Sequence, residues 1–130
     1  MRLIDTIKQK NYKTISIIGL AKNAGKTVTL NYLIEESINN NVTIGITSTG
    51  RDGESLDLVT NTQKPPVYVV ENMYVATAKK ALMLSDAHVE ILETTGINTP
   101  MGEVIIVKVR QSGNIQIAGP VNSTDMKYVC

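Results

Sequence analysis

One segment constrains this chain more than any other: Gly19-Leu20-Ala21-Lys22-Asn23-Ala24-Gly25-Lys26-Thr27. It follows Thr14-Ile15-Ser16-Ile17-Ile18, a β-branched run that reads as a strand buried on both faces. It opens a helical pattern over residues 26–38, in which Leu30, Leu33, Ile34 and Ile38 share one apolar face. Strand, loop and helix in that order favour an anion. The N–H groups of the loop and of the first helical turn point at one spot, where the helix dipole is positive. Gly25 lets the backbone approach a phosphate with no Cβ between them. The Lys26 ammonium would neutralise phosphate oxygens, and the Thr27 hydroxyl would ligate Mg²⁺. Lys22 either reaches a phosphate, or a nucleotide on a facing subunit, or is a solvated loop lysine. Asn23 either donates to a phosphate or stabilises the turn.

Around this segment the chain reads as α/β: a P-loop βαβ unit of a parallel sheet, followed by a small β-rich lobe. Residues 1–12 have the spacing of a short amphipathic helix, with Leu3, Ile4 and Ile7 on one side. Asn39-Asn40-Asn41 ends the second helix, since Asn tolerates turn conformations and is a poor helix-interior residue. Residues 42–47 form the next strand, so residues 13–48 make one right-handed crossover unit. The domain reading is a nucleotide-binding segment over 1–62, a lobe over 63–120, and the start of a continuation over 121–130. Pro65-Pro66 marks entry to the lobe. A hairpin is expected there, from residues 67–70 and 73–76 about a Glu71-Asn72 turn. A short helix is expected near 78–84. Strands are expected at 89–92, 104–109 and 115–117, with Ser112-Gly113-Asn114 turning between the last two. A partly closed barrel would accommodate these runs.

A second polar loop, Thr47-Ser48-Thr49-Gly50-Arg51-Asp52-Gly53-Glu54, leaves the carboxyl end of the second strand, where open α/β sheets bind ligands. Arg51 could stabilise charge on a transferring phosphoryl group, and Asp52 or Glu54 could hold Mg²⁺. The alternative is an exposed loop with an internal ion pair. An acid at the end of a third strand would complete a phosphoryl-transfer site. The nearest candidate is Glu93, after Ile91-Leu92, and it reads more readily as a residue of the lobe. His88 has no ligand cluster around it, and Cys130 has no neighbouring His, so neither suggests a metal centre or a nucleophile.

Composition narrows the classes. The chain has 130 residues, one Cys and a net charge of +1. One Cys makes no internal disulfide, which points to a reducing cytoplasm. The near-zero charge gives no electrostatic case for nucleic acid or a membrane surface. Trp and Phe are absent, which removes the usual platforms for stacking bases. No apolar run approaches the ~20 residues of a membrane-spanning helix.

The first glycine of the phosphate loop stands one residue earlier than in the common Gly-x₄-Gly-Lys pattern. The loop therefore resembles the dethiobiotin synthetase and cobyric-acid-synthase branch of P-loop proteins. Together with residues 47–54 and Glu93-Thr94-Thr95-Gly96-Ile97-Asn98-Thr99-Pro100-Met101-Gly102-Glu103, it resembles the ATP-binding subunits of lysine 5,6-aminomutase reactivases. The resemblance spans nearly the whole chain. It implies an ATP- and Mg²⁺-dependent module that works with a second reactivase subunit to exchange damaged cobalamin in the aminomutase. Gly19, Lys22, Asn23, Ala24, Gly25, Lys26 and Thr27 would surround the nucleotide. Lys26 and Arg51 would act in catalysis, and Thr27 and Asp52 on the metal. Such proteins continue past a Gly-Pro into further α/β structure, so the expectation is a truncated chain with an open sheet edge, leading either to self-association through that edge or to modest stability. Two other readings stay open: a ligase similar to dethiobiotin synthetase, and a partner-binding module whose P-loop is vestigial.

Overall fold

A computed structural model of the chain describes residues 3–14, 26–48, 67–120 and 129, without the side chains of Lys26 and Thr27. The chain divides into two compact units, residues 1–44 and 45–130.

The described part of the first unit is helical. Helix α1 runs Leu3–Lys10 and helix α2 runs Lys26–Asn39. Both end on an Asn in the left-handed region, Asn11 (φ 58°) and Asn41 (φ 57°). At each end the next N–H reaches back five residues, Tyr12 to the Ile7 carbonyl at 3.1 Å and Val42 to the Ser37 carbonyl at 2.9 Å. This is the Schellman stop with Asn in place of the usual Gly, and the three-Asn run does end the second helix as its sequence suggests. Ile4, Leu33 and Ile34 are the buried apolar residues of this pair. The apolar face differs from the expected one: Ile38 is 47% exposed, while Glu36 and Ser37 are buried. The reason is the contact with α1. Glu36 Oε2 accepts the Ile4 N–H at 3.2 Å, which satisfies a donor at the open start of α1. The Ser37 hydroxyl turns back to the Ile34 carbonyl at 2.6 Å.

The second unit is a mixed four-stranded sheet with a small two-stranded one beside it in sequence. Its elements are β1 (Gly45–Ile46), β2 (Val67–Val69), β3 (Tyr74–Ala78), α3 (Lys79–Leu82), β4 (His88–Thr99), β5 (Gly102–Gln111) and β6 (Gly113–Ile115). The larger sheet has the order β1-β3-β5-β4, and β2 pairs with β6. Among the described residues the one parallel pair is β1 with β3. The other ladders are antiparallel.

Three lobe expectations are corrected. Residues 67–70 and 73–76 do not pair as a hairpin. The Glu71-Asn72 turn exists, with Asn72 at φ 76°, but it hands the chain from one sheet to the other. The Asn72 N–H goes to the Val109 carbonyl at 2.9 Å and the Val109 N–H to the Met73 carbonyl at 2.8 Å, so the turn extends the β3–β5 ladder. Gly113 and Asn114 are likewise not a turn but part of β6, opposite Val69 and Tyr68. In place of a partly closed barrel, the strands form two separate sheets. The cause in each case is the non-local partner: alternation marks a strand but not the strand it pairs with.

The core lies along β3 and β5. Val75, Ala78, Val104, Ile105, Val107 and Val109 are all essentially inaccessible to solvent. Adjacent buried residues at 104–105 and 75–78 show that both faces of the central strands are covered. Thr77 is fully buried among them, at 0% exposure. Its hydroxyl donates to the Gln116 carbonyl and accepts the Ala118 N–H, both at 3.0 Å. Thr77→Val keeps the shape and strands both partners. It should lower unfolding stability by about 1–3 kcal/mol, while Thr77→Ser loses less. A denaturant midpoint measures both, and a neutral Thr77→Val would remove the role assigned to the hydroxyl.

The long β4–β5 hairpin turns at Pro100-Met101 and is irregular at three places. Leu92 is an extra residue between the pairs Ile91↔Val107 and Glu93↔Ile106. It breaks the alternation, so Ile91 and Leu92 are consecutively exposed, at 57% and 48%. Between Thr94 and Asn98 the ladder is replaced by side chains. Thr95 Oγ1 donates to the Val104 carbonyl at 2.7 Å, and Glu103 Oε2 accepts the Gly96 N–H at 2.8 Å.

Glu103 also pairs with Lys79 at 3.3 Å. The Gly96 N–H, and after it the Lys79 ammonium, hold the Glu103 carboxyl below the usual glutamate range. A carboxyl lowered in the folded state stabilises at neutral pH. That contribution is lost as pH falls through the ordinary glutamate range and then through the lowered value. Glu103→Gln should therefore flatten the acid side of the stability–pH curve. Superimposable curves from denaturation at stepped pH would contradict this.

Candidate functional site

The candidate site begins where α2 begins. The helix starts at Lys26 and continues through Thr27 for 14 residues. A helix of that length carries a full dipole, positive at Lys26. The preceding residues of the expected phosphate loop, Gly19, Lys22, Asn23, Ala24 and Gly25, lie outside the described residues, as does the strand expected over 14–18 apart from Thr14. Arg51, Asp52 and Glu54 also lie outside them.

The root of the second loop is described, and it is held firmly. Expected as a strand over 42–47, the segment is extended in the sheet only at Gly45–Ile46, against Tyr74 and Val75. The two residues that follow are tied down by their hydroxyls. Thr47 Oγ1 donates to the Ala76 carbonyl at 2.9 Å, and Ser48 Oγ donates to the Ile117 carbonyl at 3.1 Å. Ser48 Oγ also accepts the Gly119 N–H at 3.4 Å. A Cβ on Gly119 would fall inside contact distance of the Ser48 carbonyl oxygen and would stand 2.6 Å from Thr47 Oγ1, so only glycine fits there. The run 116–119 is thus bound to Thr77, Ala78 and Ser48. These anchoring residues were missed in the sequence. The available signals were the lone Thr in the run Val75-Ala76-Thr77-Ala78 and the Gly119-Pro120 pair.

Glu93 lies in the middle of β4, exposed, and opposite Ile106 of an antiparallel partner. It is not at the carboxyl end of a parallel strand, which agrees with its reading as a lobe residue. His88 opens β4 opposite Gln111 and is exposed. Among the described residues no three of His, Cys, Asp and Glu converge as a metal-binding group. No described helix is long and apolar enough to cross a membrane.

No protein-family model, curated protein or solved structure matches the chain.

Proposed function

We propose that this chain is the ATP-binding module of a P-loop NTPase, working in the cytoplasm as part of a reactivase that exchanges damaged cobalamin in lysine 5,6-aminomutase. The observation that supports the nucleotide reading is the coincidence of Gly25-Lys26-Thr27 with the start of α2 at Lys26. A phosphate loop requires its Lys and Thr in the first turn of the helix it opens. Residues 13–48 are read as its βαβ unit. Gly19, Lys22, Asn23, Ala24 and Gly25 surround the phosphates, Lys26 and Arg51 offset their charge, and Thr27 and Asp52 hold Mg²⁺. The reactivase assignment rests on the resemblance of three sequence segments alone. A second reactivase subunit and the aminomutase are its proposed partners.

Equilibrium binding of ATP with and without Mg²⁺ tests the nucleotide reading. Saturable binding strengthened by Mg²⁺ is expected. No affinity under either condition would overturn it and favour a partner-binding module with a vestigial loop. ATP-driven conversion of a small carboxylate or amine would instead mark a ligase.

Turnover by the chain alone should fall below ~1 s⁻¹, the lower end of ordinary enzyme rates. Phosphoryl transfer depends on positioned charge around Mg²⁺, and no apolar run after residue 54 ends in an Asp suited to that task. The rate should rise when the second subunit and damaged aminomutase are added. Fast hydrolysis by the chain alone would overturn this expectation and mean that Asp52, with Glu54 or Glu93, positions the metal for catalysis without a strand-end acid.

A further inference from the structure

We draw no further inference here: the strongest candidate, the exposed Ile91-Leu92 pair at the bulge of edge strand β4, carries nothing because nothing in the structure shows what covers it.

Discussion

Lys26→Ala is expected to weaken Mg²⁺-ATP binding by more than tenfold. The side chain sits on the first residue of α2, and in the proposed site its ammonium meets phosphate oxygens. A hydrogen bond to a charged group contributes about 1.5–3 kcal/mol, and each 1.4 kcal/mol is a tenfold change in affinity. Folding should be little affected, because alanine is a better helix former than lysine and the substitution lies at a helix end. The measurement is a titration of wild type and variant with ATP at fixed Mg²⁺, alongside their unfolding midpoints. Equal affinities at equal stability would remove the phosphate role from Lys26. Lys26→Arg should recover part of the binding if charge is what matters, though a planar guanidinium does not reproduce the compact ammonium.

Ile105→Ala should cost about 2–5 kcal/mol of unfolding stability, the range for a buried isoleucine cut to a methyl group. Ile105 is 1% exposed and lies on β5, between Thr77 of β3 and Thr94 of β4. Its side chain cannot be replaced by solvent, and the flanking strands are held by their own ladders, so the space left behind closes only in part. Ile91→Ala is the control. It removes the same atoms from a position on the next strand that is 57% exposed, and surface changes of that kind usually stay within about 0.5 kcal/mol. Denaturant unfolding of the two variants should separate them clearly. Similar losses would show that β4 and β5 do not divide surface from core as described.

The local stops and starts of this chain are legible in its residues. α1 and α2 follow from the spacing of Leu3, Ile4 and Ile7 and of Leu30, Leu33, Ile34 and Ile38, of which Ile4, Leu33 and Ile34 are buried, and α2 stops at a run of Asn because Asn accepts a positive φ at Asn41. The strand character of residues 104–109 follows from β-branched residues at every position but Lys108, as a doubly covered strand demands. Which strands meet is not legible at that level. Val67-Tyr68-Val69 looks ready to fold back on Tyr74-Val75-Ala76, and the Glu71-Asn72 turn would allow it. Yet β2 joins β6, more than forty positions away, while β3 takes β1 on one side and β5 on the other. Pairing is decided by which apolar faces can be buried together, and that is a property of the whole chain. The exposed Ile38 and buried Glu36 have the same origin, since α2 turns toward α1 the carboxylate that receives the Ile4 N–H.

For the candidate site the division is similar. The order of residues alone determined that a Gly-Lys-Thr follows a β-branched run, opens a helix and precedes a polar loop after the next extended segment. That is local chemistry, written in consecutive residues. Only the tertiary structure decided how the root of that second loop is secured. The Thr47-Ser48 pair, Thr77 and Gly119 are far apart in sequence and ordinary in type. They become a unit because a buried backbone must have each N–H and carbonyl satisfied. The run 116–119 meets that need by crossing the ends of β1 and β3, where three hydroxyls and one missing Cβ make room for it.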